Sequence, residues 1–180
     1  MDGKVKTGEY TDFVSCMNIG VLPERTCMNY KDGAYNECLL STFDANKKVI
    51  YVMEEDEIIG RAILRLTKLS DEGDKDLHFE DVAEDTPENK ENLVVCLERC
   101  YKNGFSGKKA SMIYRKLYDL AKRKAELLGA ELILADDYKN VAELNGLAKK
   151  RSYIYVSESK NGKQYLDLGN CETGSGLEYK

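Results

Sequence analysis

Between Leu97 and Gly129 the chain reads LERCYKNGFSGKKASMIYRKLYDLAKRKAELLG, and this run holds the densest chemistry of the sequence. Gly104 and Gly107 bracket a short loop, Lys108, Lys109 and Ala110 follow at once, and a long amphipathic helix begins near Ser111. Glycine lets backbone approach a ligand, lysine brings positive charge, and a helix N-terminus offers unpaired N–H groups. Together these are what a bound phosphate needs. The same residues also make an ordinary turn from strand to helix, with Ser111 as N-cap, and both readings stand. Just upstream, Glu98 and Arg99 close a run, NLVVCLERCY, that is apolar on both faces until its last residues. Such a strand is covered on both sides, and in open α/β sheets ligands bind beyond its C-terminal end.

Arginines form a second cluster. In IIGRAILRLTK, alternation puts Arg61, Ile63 and Arg65 on one face and Ala62, Leu64 and Leu66 on the other. Two guanidinium groups on one strand face require water, a carboxylate or an anion. The acidic stretch from Ser70 to Glu91, with ten Asp and Glu against Lys75 and Lys90, is the expected intramolecular partner.

Cysteine chemistry is less promising. Cys16, Cys27 and Cys38 recur every 11 residues, and Cys96, Cys100 and Cys171 complete the six. There is no CxxC pair and His78 is the single histidine, whereas zinc sites show close Cys or His pairs. No metal is expected. A nucleophilic Cys16 or Cys27 would have only His78 as base, so buried free thiols are the plainer reading.

These groups need a scaffold. A chain of 180 residues with 33% charged and 42% hydrophobic residues fits one globular domain, 1–180. No apolar stretch approaches the roughly 20 residues that span a bilayer. MDGKVKTGEY lacks the apolar core of a secretory signal, so a cytoplasmic location and no membrane partner are expected. Residues 1–43 read as irregular or short helical pieces. A hairpin follows, KKVIYVM and IIGRAILRLTK, joined by EEDE. The acidic loop 70–91, the apolar strand, and the helix closed by Gly129 come next. Then come the strand AELILAD, a helix near Asn140–Lys150, and a hairpin turning at Asn161–Gly162. The tail 169–180 is expected to fray. The fold class is α/β (α+β): a mixed, mostly antiparallel central sheet flanked by helices.

From Lys47 to Leu168 this order resembles the GCN5-related N-acetyltransferase layout, carried by KVIYVMEEDEIIGRAILRL, by LVVCLERCY through AELILA, and by the Asn140–Ala142 region. The resemblance implies a core at 47–168 whose central strand splays from its neighbour, with loop amides facing the pyrophosphate of acetyl-CoA or another acyl-CoA. The family pattern is Gln or Arg, two residues, Gly, one residue, then Gly or Ala, and NGFSGKKAS departs from that spacing. By resemblance, Gly104, Gly107, Lys108, Lys109, Ala110 and Asn140 would hold the cofactor. Glu98 would accept the amine proton, Tyr138, Tyr153 or Tyr155 would protonate the leaving thiolate, and Arg61, Arg65 and Arg99 would recognise an anionic substrate. The acceptor would be a small-molecule or protein amine.

SCM, CMNY, IIGRAILRL and LERCY also resemble a group of uncharacterised phage and Firmicute proteins that share Cys-Met, Gly-Arg-Ala and acidic-Arg-x-Tyr elements. That resemblance implies an alternative, a non-catalytic interaction module with a degenerate cofactor site. The segment Lys102–Lys124 carries eight Lys and Arg against Asp119, opposite in sign to the acidic loop, which suits a protein partner or a homodimer. The net charge of −5 and the absence of a base-reading pattern disfavour nucleic acid.

Overall fold

In the computed structural model, residues 5–68, 93–135, 137–138, 147–152, 158–159, 162–163 and 175–179 are described. Two strands anchor the fold, β2 (Lys47–Glu54) and β3 (Glu57–Lys68), paired antiparallel. Their two-residue turn, Glu55 and Asp56, has φ of 48° and 68°. Both turn residues are left-handed, the conformation that matches strand twist in tight hairpins.

Before β2 lie β1 (Val5–Glu9), the short helix α1 (Phe13–Met17) and 3₁₀ turns at Asn18–Gly20 and Asn36–Phe43. After β3 come β4 (Leu93–Leu97), α2 (Gly107–Leu128), β5 (Glu131–Leu134) and β6 (Leu147–Ser152). The two-residue pair β7 (Glu158–Ser159) and β8 (Gly162–Lys163) and the strand β9 (Ser175–Tyr179) complete the order. Among the described residues seven strands form one sheet in the order β1-β2-β3-β4-β5-β9-β6. Of these described strands only β4 and β5 run parallel, and every other neighbouring pair is antiparallel. The expected class holds: a mixed, mostly antiparallel sheet flanked by helices.

The sheet separates two apolar layers. On one face α2 buries Ala110, Ile113, Leu117, Tyr118, Ala121 and Ala125 against Ile50, Val52, Ala62, Leu64 and the inward residues of β4 and β5. On the other face Ile19, Met28, Cys38 and Leu39 of the N-terminal turns cover Val49 and Ile63. Alternation in β3 thus sends Ala62 and Leu64 to α2, and Arg61, Ile63 and Arg65 to the opposite layer.

Several sequence expectations need correction. Residues 1–43 are not wholly irregular or helical, because Val5–Glu9 forms the edge strand β1. Its Gly8 leaves room for Tyr51, whose Oη would lie 2.5 Å from a Cβ there. The helix expected near Asn140–Lys150 gives way to strand β6 from Leu147 onward, and residues 140–146 lie outside the described residues. The tail does not simply fray: Ser175–Tyr179 enters the sheet between β5 and β6. Neighbouring strand edges supply backbone hydrogen bonds that outweigh the weak strand propensity of SGLEY. The acidic loop 70–91 lies outside the described residues. Among those described, no helix is long and apolar enough to cross a membrane.

Candidate functional site

The site is built where β4 ends. Leu97 pairs with Leu64 of β3, and the next bridge joins Tyr101 to Arg61, so β4 gains one residue over its partner. That extra residue is a bulge, which bends a strand and increases its twist. Glu98 N–H donates to Ile63 O, and Tyr101 and Arg61 exchange both backbone hydrogen bonds, each at 2.9 Å. Contact with β5 stops earlier. The last link is Ala135 N–H to Leu97 O, 2.9 Å, after which the chain turns through Asp137 and Tyr138. The two parallel strands therefore part company at Leu97.

Side chains of the chain itself occupy the gap. Asp137 Oδ2 accepts from Cys100 N–H and from Tyr114 Oη–H, both at 3.2 Å. Tyr138 is fully buried, meets Tyr114 edge-on with centroids 5.0 Å apart, and its hydroxyl has no hydrogen-bond partner among the described residues. Burial, then Cys100, Asp137 and Tyr114, push the Tyr138 hydroxyl well above its ordinary value. Tyr114 is pushed upward chiefly by burial and then by Asp137.

Beyond the gap, Glu24 Oε1 accepts the N–H groups of Lys102, 2.8 Å, and Asn103, 3.1 Å. Asn103, Gly104 and Gly107 all take positive φ, at 52°, 69° and 58°. Helix α2 begins at Gly107 with Ser106 as N-cap, and Ser106 makes no side-chain capping bond. This corrects the expected start at Ser111, because the left-handed Gly107 lets the helix begin one turn earlier. Phe105 N–H bonds Lys102 O and Ala110 N–H bonds Ser106 O. The amides of Gly104, Ser106, Gly107, Lys108 and Lys109 have no partner among the described residues. A Cβ added at Gly104 or Gly107 would meet nothing within 4 Å. Five amides without a partner among the described residues, at an exposed helix N-terminus, can receive an anion.

The two lysines differ. Lys108 is exposed. Lys109 Nζ is held by Glu54 Oε2 at 2.7 Å and sits 4.2 Å above the Phe105 ring, while Ala110 is buried against the sheet. Asn140, Tyr153 and Tyr155 lie outside the described residues.

Glu98 and Arg65, expected in separate roles, form one buried pair, with Nε 2.8 Å from Oε1. Lys47, opposite Arg65 in the sheet register, lies 3.3 Å from Asp44 Oδ2. Burial, then Arg65, lowers the Lys47 ammonium to about 8, against the pull of Asp44 and Glu98. Arg61 is buried with its guanidinium 4.2 Å over the Tyr101 ring. Near it, Tyr10 and Tyr51 lie 4.9 Å apart, and burial raises Tyr10 to about 12. Arg99 is exposed. The three arginines thus occupy three separate environments.

Sequence reasoning missed Asp137, Glu24 and Lys47. Only Lys47 left a signal, as a charge opening an apolar strand. The described cysteines are free thiols, and burial followed by Asp12 raises Cys16, away from thiolate character. Among the described residues no group of three or more His, Cys, Asp or Glu is placed to hold a metal ion.

No protein-family model matches the chain, and no curated protein matches it. Solved structures do. A polyamine N-acetyltransferase of Drosophila melanogaster, an enzyme that forms N-acetylagmatine, superposes with a TM-score of 0.50 at 9% identity, covering 98% of both chains. An agmatine N-acetyltransferase variant in its apo form gives a TM-score of 0.51 at 9% identity, again over 98% of both. With the strand order and the parting of β4 from β5, these similarities show that the chain has a GCN5-related N-acetyltransferase-like fold.

Proposed function

We propose that the protein is an acyl-CoA-dependent N-acyltransferase acting on an amine. The observation that carries this reading is the set of amides at Gly104, Ser106, Gly107, Lys108 and Lys109 that have no partner among the described residues and open the N-terminus of α2 beside the parted strands. The fit is good at the phosphate end: both glycines leave open space and Lys108 adds exposed positive charge. Lys109, tied to Glu54, positions the loop rather than offering a free cation. Acyl-CoA, when bound, supplies the activated acyl thioester.

In this reading Tyr138 is the acid. Its hydroxyl is protonated at neutral pH as an ordinary tyrosine's is, burial raises it further, and it is the donor to a developing thiolate. Glu98 is 2% exposed and tied to Arg65, so it takes the amine proton through a relayed water. Arg61 and Arg99 remain the candidates for an anionic part of the acceptor, and Arg65 belongs to the Glu98 pair. Asn140 and Tyr153 keep their proposed roles in the cofactor and acid sets.

A second reading, a non-catalytic interaction module, is favoured by the side chains that fill the gap, Asp137 above all. Calorimetric titration with acetyl-CoA separates the two. Saturable heat that falls on Lys108→Ala and with added salt supports the acyltransferase. Absence of heat at millimolar acetyl-CoA supports the module.

A further inference from the structure

Where β4 leaves β5, a strand edge should be open. Past Leu97, whose carbonyl takes Ala135 N–H, no residue of β5 pairs with β4. The Glu98 and Tyr101 amides are used by β3. The Cys100 amide is not, and it points to a side chain instead: Asp137 Oδ2, 3.2 Å away. The same oxygen takes the Tyr114 hydroxyl, tying the end of β4 to α2 across the mouth of the gap. Both bonds are at the long end of the hydrogen-bond range, so both are weak enough to exchange for another acceptor.

We propose that the Asp137 carboxylate is an internal occupant of this strand edge, which an acyl-CoA arm must displace. This rests on the acyl-CoA reading. A ligand anchored by phosphates on the Gly104–Lys109 amides can extend its amide-bearing arm into the gap. There it can pair with a free strand edge as an added strand does. On that path the Cys100 N–H, just past the end of β4, already holds a carboxylate. Arm and Asp137 therefore compete for one donor, while the phosphate amides are untouched. The occupant sets the affinity for the arm and leaves that for the phosphates alone.

The test uses calorimetry on the full chain with two probes, coenzyme A and adenosine 3′,5′-bisphosphate, which lacks both the arm and the outer phosphate that carries it. Asp137→Ala should tighten coenzyme A by about tenfold and leave the bisphosphate unchanged. Asp137→Asn keeps an oxygen acceptor and should stay within about twofold of wild type for both probes. If Asp137→Ala does not fold, Tyr114→Phe removes one of the two donors and should tighten coenzyme A by about threefold. Unchanged or weaker coenzyme A binding with normal bisphosphate binding overturns the proposal and leaves the phosphate site standing. Failure of both probes on all proteins overturns the acyl-CoA reading and the occupant role with it.

Discussion

Arg65 and Glu98 lie on adjacent strands, β3 and the bulged end of β4, with Nε 2.8 Å from Oε1 and both side chains 3% exposed. Removing one partner takes away the buried counter-charge that the other holds at hydrogen-bond distance. Glu98→Ala should therefore lower stability by about 3–5 kcal/mol in urea unfolding. The paired change Arg65→Met with Glu98→Leu should recover most of that loss, because neither member of the pair is left without the other. Equal losses for the single and double variants would show that the pair is not what holds this end of the sheet.

Lys47 adds a pH dependence. Its folded value of about 8 lies below the ordinary 10.5, chiefly through burial. Between those values the native protein has shed a proton that the unfolded chain still holds, so stability rises with pH. Below about pH 8 both forms are charged and the burial penalty is fully present. Urea midpoints measured from pH 7 to 9.5 should climb in wild type more steeply than in Lys47→Met. Parallel curves would contradict this assignment.

The two left-handed loop glycines give a strain test without a clash. Gly107→Ala places its Cβ in open space yet forces φ of 58° on an alanine, costing about 1 kcal/mol. Gly107→Asn tolerates that conformation and should recover about half the loss in thermal melts. Equal destabilisation by both would mean that space, not backbone conformation, limits the position.

Glu24 holds the loop entrance. Glu24→Ala frees the amides of Lys102 and Asn103, so both should exchange with solvent faster, with a stability loss of about 1–2 kcal/mol. Unchanged exchange would mean the carboxylate is not their principal partner.

The parts of this fold legible in the sequence are those with strong local patterns. Alternation marked β3, apolar β-branched runs marked β2 and β4, and the stripe Ile113, Leu117, Leu120 and Ala121 marked α2, with Gly129 ending it at φ 64°. β1 and β9 were hidden because VKTGE and SGLEY are short and contain glycine. Their strand form comes from the partners they meet. The loop was legible for the same local reason, since its glycines and lysines are contiguous. Its surroundings were not: Asp137 reaches Cys100 across 37 residues and Glu24 reaches Lys102 across 78. Nothing in ADDY or PERT marks those carboxylates, because only the folded sheet brings them to the end of β4.

In the proposed acyltransferase the amides at the start of α2 receive the phosphates of an acyl-CoA. Amide chemical shifts of the ¹⁵N-labelled chain, followed during titration with acetyl-CoA, test it most directly. Saturable shifts are expected at Gly104, Ser106, Gly107, Lys108 and Lys109, exceeding those at the exposed C-terminal end of α2. Unmoved amides at these five positions in millimolar acetyl-CoA would contradict it.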